Sequence, residues 1–164
     1  MPDQRSPAAP AGLPPGPRRV AGHVPAGGGT FRPSLWGEQL HRKVGGELTG
    51  GAFTLDELTT VAGWGRGSYV DHGADECFYV LMGSFRLDVE GPADPVLVTP
   101  GAVAYVPRGT ACAITQISSG PGRLLIVQTP APPSDDPAAA PWRVERIDPP
   151  STAAPAAAST RRWS

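Results

Sequence analysis

Two side chains able to exchange protons, His72 and Glu76, stand with three residues between them in the run VDHGADECFYVLMG. An imidazole and a carboxylate held together in an apolar setting form a general acid/base pair, because burial and pairing move both groups toward neutral pH. In one straight strand, residues four positions apart lie ~13 Å from each other, so the pair needs a bend between its members. Gly73 and Asp75 favour a turn there, and a turn lets the two side chains converge. Val70 and His72 then alternate onto one face. Glu76, Phe78 and Val80 share a parity on the next strand, and Cys77, Tyr79 and Leu81 share the other. With Glu76 facing inward, Cys77 faces away. Further along, Cys112, Ile114 and Gln116 take the interior positions of their own strand. A Cys77–Cys112 disulfide is therefore not expected, and two cysteines make no disulfide framework.

The same residues admit a metal. His72, Glu76 and a Cys112 thiolate would suit Zn²⁺ or Cu, whose softness matches sulfur, better than Fe²⁺ or Mn²⁺. Val70 offers no ligand. Without a metal, Cys112 is a small apolar residue in a core, and a buried Glu76 needs a partner, either His72 or an ion. A pocket between the strands would be lined by Val70, Phe78, Cys112, Ile114, Gln116, Tyr105 and Phe53. Gln116 and Tyr105 also read as packing and hydrogen-bond fillers, and Trp36, Trp64, Phe53 and Phe78 as core. The glycines of AGWGRGS, Gly63, Gly65 and Gly67, look like a phosphate loop, but no helix follows them to supply the anion site. His41 is expected at the surface, and His23 falls in an N-terminal segment without core-forming residues.

Positioning these groups falls to a series of short runs rich in Val, Ile, Leu, Thr, Phe and Tyr, separated at eight- to twelve-residue intervals by Gly, Pro, Asp and Ser. This is the pattern of an antiparallel all-β sandwich or barrel. AFTLDELTT alternates as a strand, and no segment sustains a 3.6-residue period with caps. Eight or nine strands without covering helices call for a closed or double-sheet jelly roll, whose mouth can hold one ligand. The prolines bound this region: eight of 21 lie in residues 1–33, eight in 130–164 and only five between. The chain divides into an N-terminal segment at 1–33, disordered or loosely attached, a β-barrel domain at 34–130, and a mostly disordered C-terminal tail at 131–164. Within the tail, Pro141–Ile147 could add an edge strand but reads better as a solvated stretch.

At this point the sequence resembles the cupin family, in particular its small quercetin-dioxygenase-like members. The family's first motif runs His-x-His, three or four residues, Glu, six residues, Gly. Taken with three residues, it falls on Val70, His72, Glu76 and Gly83. The second motif, Gly, five residues, Pro-x-Gly, two residues, His, three residues, Asn, falls on Gly101, Pro107, Gly109, Cys112 and Gln116. The resemblance covers about residues 34–130. It implies a cupin-type jelly-roll (double-stranded β-helix) barrel, a metal held by three His and one Glu, and pairing into homodimers. Two of the four implied ligands are replaced, by Val70 and Cys112, and Gln116 stands for Asn.

Charge narrows the partners. Residues 34–129 hold six Lys/Arg against ten Asp/Glu, the first 33 residues are +3 and the last 35 are neutral. An acidic domain without a basic stripe is a poor partner for nucleic acid or an anionic membrane. Arg18-Arg19 is followed by VAGHVPAGGG rather than an apolar run, so no secretory or twin-arginine signal is expected, and a cytoplasmic protein is the expectation. Arg outnumbers Lys thirteen to one, which together with abundant Ala, Gly and Pro points to a GC-rich bacterial genome. Three functions fit. The favoured one is a cofactor-independent enzyme in which His72 and Glu76 carry out cyclisation, isomerisation or dehydration of a small, largely apolar secondary metabolite such as a polyketide. The second is a metal-dependent dioxygenase using His72, Glu76 and Cys112 with Zn, Cu, Fe, Mn or Ni. The third is a non-catalytic metabolite binder or sensor.

Overall fold

A computed structural model of the chain describes residues 19–32, 38–91, 94–133 and 144–147. Among the described residues are eleven strands and one helical turn: β1 (Thr30–Arg32), β2 (Gln39–Val44), α1 (Gly46–Thr49), β3 (Thr54–Thr60), β4 (Gly65–Asp71), β5 (Asp75–Met82), β6 (Phe85–Val89), β7 (Val96–Val98), β8 (Val103–Val106), β9 (Ala111–Gln116), β10 (Gly122–Thr129) and β11 (Val144–Arg146). They form a six-stranded sheet in the order β1-β2-β3-β10-β5-β8 and a five-stranded sheet in the order β11-β4-β9-β6-β7. Every pairing is antiparallel. The expected all-β jelly roll is what the chain forms.

Two-residue alternation decides which side chains fill the space between the sheets. β5 turns Glu76, Phe78 and Val80 inward, and β9 turns Cys112, Ile114 and Gln116 inward, as their parities predict. β8 places Ala104 and Val106 inside and Val103 and Tyr105 outside. Leu58, Phe78, Val80, Phe85, Leu87, Val98, Ala104, Val106, Ile114, Leu124 and Ile126 form one contiguous core.

Chain segments outside the expected domain limits also join the sheets. β1 pairs with β2 through Phe31–His41, so the sheet begins before residue 34. The backbone N–H of Val20 donates to Leu48 O at 3.0 Å. At the other end β11 pairs with β4 through Val144–Asp71, Glu145–Val70 and Arg146–Tyr69. The edge-strand reading of Pro141–Ile147 therefore holds for residues 144–146, and the solvated one does not. The rest of both tails lies outside the described residues. No helix among the described residues is long and apolar enough to cross a membrane.

The interior is not all apolar. β3 directs Thr54, Asp56, Leu58 and Thr60 inward. Asp56 accepts from both Arg42 Nε, at 2.5 Å, and Arg42 Nη2, at 3.0 Å, with both side chains buried. Burial raises the Asp56 pKa above 3.8 and the Arg42 hydrogen bond opposes the rise. Removing one member of such a pair strands the other charge in the core. Arg42→Met is expected to cost about 3–5 kcal/mol in urea unfolding, whereas the double substitution Arg42→Met with Asp56→Leu costs markedly less. Equal losses in the two variants would contradict the pairing.

Candidate functional site

Glu76 lies near the start of β5, inside the barrel and 3% exposed. Its carboxylate accepts from the Tyr69 hydroxyl at 2.5 Å through Oε2 and from Gln128 Nε2 at 3.1 Å through Oε1. Arg66 Nη1 stands 3.8 Å from Glu76 Oε1. The same guanidinium donates to the Tyr69 hydroxyl at 3.4 Å and to Glu38 Oε1 at 3.3 Å, and its carbon lies 5.7 Å from the centre of the Tyr69 ring. Tyr69 and Cys112 face each other across β4 and β9. Asp71 completes the group: its Oδ1 accepts from the backbone N–H of Gly73, at 2.7 Å, and of Ala74, at 3.0 Å, and Gln128 Nε2 donates to its Oδ2 at 3.4 Å.

Burial governs the protonation of this cluster. Desolvation raises the Glu76 pKa above 4.5, with Asp71 adding to the rise, while Arg66, Tyr69 and Gln128 work against it. Tyr69 is pushed well above 10, first by burial and then by the Glu76 charge. Cys112 is pushed up to about 11 by burial, so it is a thiol at neutral pH. Burial opposes the charge of Arg66, but Tyr69, Glu76 and Glu38 outweigh that penalty and keep the guanidinium ionised.

His72 does not belong to this site. It follows β4 in the turn, its ring is exposed, and Nε2 lies 3.2 Å from Glu145 Oε2 on β11. The expected His72–Glu76 pair is therefore not formed, and neither is the His72, Glu76 and Cys112 ligand set. The bend expected at HGAD does exist, but Asp71 makes it by capping Gly73 and Ala74, which releases the next side chain outward. Tyr69 and Asp71 face the interior, so Val70, though buried, stands outside the core cluster. The motif permits four residues before its Glu, and with four its two His positions become Tyr69 and Asp71. The inward donor positions are thus Tyr69, Asp71, Glu76 and Cys112.

The other pocket-lining expectations divide. Phe78 and Ile114 lie in the core and Cys112 against the site. Gln116 is interior but at the other end of β9, bonded to Ser118. Tyr105 faces outward, exposed and hydrogen-bonded with Asp75. Phe53 lines a different hollow of about 550 Å³ on the outer face of the six-stranded sheet, with Val20, Val24, Val44, Leu48 and Leu55. Sequence reasoning missed Arg66, Glu38 and Gln128 altogether. Alternation could not have found Arg66, because it stands three residues before Tyr69 and only the register shift between them turns both side chains inward.

The residues present do not fit a bound transition metal. No imidazole enters the site, both Glu76 oxygens are engaged, and a guanidinium already supplies positive charge beside the carboxylate. Among the described residues no three His, Cys, Asp or Glu side chains come together as a metal-binding group.

The opposed influences on Glu76 can be separated by titration. A ¹³C carboxyl titration is expected to give Glu76 a midpoint above 4.5. In Tyr69→Phe the ionised form loses a hydrogen-bond donor, so the midpoint moves higher still. An ordinary midpoint, or a downward move in the variant, would contradict the geometry.

Residues 58–128 match the family model described as a cupin domain. No curated protein matches the chain by sequence. Among solved structures, the polyketide cyclase RemF from Streptomyces resistomycificus superposes with a TM-score of 0.62 at 16% identity, over 80% of this chain and 89% of that one. KdgF from Halomonas sp. gives 0.54 at 14% identity, over 63% and 87% of the two chains. A predicted oxalate decarboxylase from Thermotoga maritima gives 0.51 at 18% identity, over 56% and 79%. Residues 58–128 thus match a cupin domain, and the two-sheet barrel described above is similar in fold to these three structures.

Proposed function

We propose that the protein is a cofactor-independent cupin enzyme performing acid/base chemistry on a small, largely apolar, enolisable molecule held in the barrel. One observation carries the reading: a buried carboxylate, Glu76, hydrogen-bonded to a buried phenol, Tyr69, at 2.5 Å beside the Arg66 cation. Glu76 takes the role first expected of the His72–Glu76 pair, and Tyr69 replaces the imidazole.

The step is a proton transfer. The ionised Glu76 removes a proton from carbon next to a substrate carbonyl; the C–H electron pair forms the new C=C bond and the carbonyl π pair moves onto oxygen, giving an enolate. Glu76, now protonated, donates to the Tyr69 oxygen, so the Tyr69 hydroxyl turns and donates to the enolate oxygen. Arg66 stabilises the negative charge in a setting of low dielectric. Carbon–carbon closure, isomerisation and dehydration all start from such an enolate. The fold likeness to RemF, a polyketide cyclase, supports an apolar polyketone-type substrate. The dioxygenase alternative requires a metal that the donor set does not suit. A homodimer is in keeping with the outer face of the six-stranded sheet, where Tyr79, Leu81, Val103 and Tyr105 are exposed, and this too is a proposal, as is a cytoplasmic location.

Deuterium exchange at C1 of 2-tetralone, followed by proton NMR, tests the chemistry without the natural substrate. The full chain is expected to accelerate exchange. Glu76→Gln should lower the enzymatic rate about 10²–10⁴-fold, the usual contribution of a positioned base, and His72→Ala should leave it within twofold. Bound ketone without exchange would favour a metabolite binder. A full rate in Glu76→Gln would end the proposal. Treatment with a chelator is expected to leave the rate unchanged, and loss of exchange on chelation would favour the metal-dependent reading.

A further inference from the structure

The buried polar atoms that find no hydrogen-bond partner among the described residues include Glu38 Oε2, Thr60 Oγ1, Trp64 Nε1 and Gln116 Oε1. The registers bring all four to the end of the barrel away from Glu76. Thr60 pairs with Gly122 on β10, and Gln39 pairs with Thr59, so Glu38 lies one step further, at the level of Thr60. The backbone N–H of Gln116 donates to Trp64 O at 2.7 Å. Gly122 is the meeting point. A Cβ there would stand 2.5 Å from Thr60 Oγ1, 2.7 Å from Phe85 Cζ and 3.1 Å from Gln116 Cγ. Only glycine lets side chains of both sheets come this close to the β10 backbone.

The chemistry of these atoms is well defined. Gln116 Nε2 donates to Ser118 O at 3.4 Å, to Ser118 Oγ at 3.0 Å and to Gly120 O. Two of these partners are carbonyls, which fixes the amide orientation and leaves Oε1 as an acceptor. Glu38 gives Oε1 to Arg66 and keeps Oε2 as a second acceptor. Trp64 Nε1 is a donor only. Glu38 is 7% exposed, Thr60 3% and Gln116 1%, so water does not reach them freely and each unmet group is costly. A single chemical group answers both kinds of need: a hydroxyl, which donates through its hydrogen and accepts through its oxygen.

We infer that this end of the barrel is a recognition subsite for a substrate hydroxyl, phenolic or alcoholic, which donates to Glu38 or Gln116 and accepts from the Trp64 indole. The inference rests on the acid/base reading of the Tyr69–Glu76 site and narrows its substrate to hydroxylated ketones. Arg66 links the two places, touching Glu38 with one edge and facing Glu76 with the other. A molecule lying along the guanidinium has its hydroxyl at the Gly122 end and its acidic C–H at Glu76. Methylation of the hydroxyl removes the donor while leaving the ring system unchanged.

The probes 6-hydroxy-2-tetralone and 6-methoxy-2-tetralone separate these demands. Binding to the full chain is followed by the Trp64 indole N–H signal in ¹⁵N spectra, assigned with Trp64→Phe. The hydroxy probe is expected to move that signal downfield and to bind about tenfold more tightly than the methoxy probe. In Glu38→Gln, Oε1 stays on Arg66 and an amide N–H replaces the free acceptor, so the preference should fall to within twofold. Trp64→Phe, which leaves Arg66 untouched, should weaken the hydroxy probe at least threefold. Equal binding of both probes, with exchange intact and neither variant altering affinity, would overturn the subsite and leave the Glu76 chemistry standing. An indole signal that stays fixed through the titration, the sign of water alone at this end, would also overturn it. Failure of both probes to bind would overturn both readings.

Discussion

One guanidinium organises the interior. Arg66 is buried in the space between the sheets and answers Glu38, Tyr69 and Glu76 together. A charge there is tolerable only because opposite charge and hydrogen bonds surround it. The dependence also runs the other way, since Glu38 and Glu76 rely on the same cation. The buried carboxyl groups Glu38, Asp56, Asp71 and Glu76 outnumber the buried guanidinium groups Arg42 and Arg66 among the described residues. Desolvation is why Asp56 and Glu76 hold their protons more tightly than carboxyl groups in water, and for Glu76 the neighbouring Asp71 charge adds to it.

The sequence resemblance to cupins implies inward donors gathered around an inorganic cation. Here the same positions carry a phenol, two carboxyl groups and a thiol, and the positive charge comes from a side chain. The exchange has a chemical consequence. A guanidinium has no open coordination position, so it can steady an oxyanion but cannot activate dioxygen. In the proposed function the site moves protons and holds charge.

The β architecture was legible because alternation is a strong physical signal. The inward parity of Glu76, Phe78 and Val80, and of Cys112, Ile114 and Gln116, follows from two-residue periodicity alone. The site was half legible. Glu76 and Cys112 were found, but the stretch from Tyr69 to His72 was read one residue out of step, and in a strand one step reverses every side chain. Two features hid the error. The family motif tolerates three or four residues before its Glu, and the register between β4 and β9 shifts between Arg66 and Tyr69. A capping Asp71 then ends the strand before His72, an event that composition does not reveal. Arg66 and Glu38 escaped because a charged residue in a strand is usually solvated, and only the tertiary pairing of the two makes their burial affordable.

β11 has a significance beyond its three residues. It occupies the hydrogen-bonding flank of β4, the strand that carries Tyr69, and the backbone of Arg146 lies directly against that of Tyr69. The N–H of Ile147 extends the contact to Ser68 O at 2.8 Å. An uncovered flank of this kind invites pairing with another chain. A distant stretch of the polypeptide therefore guards the sheet against self-association and braces the backbone beneath the phenol. Loss of β11 would put solubility and phenol alignment at risk together.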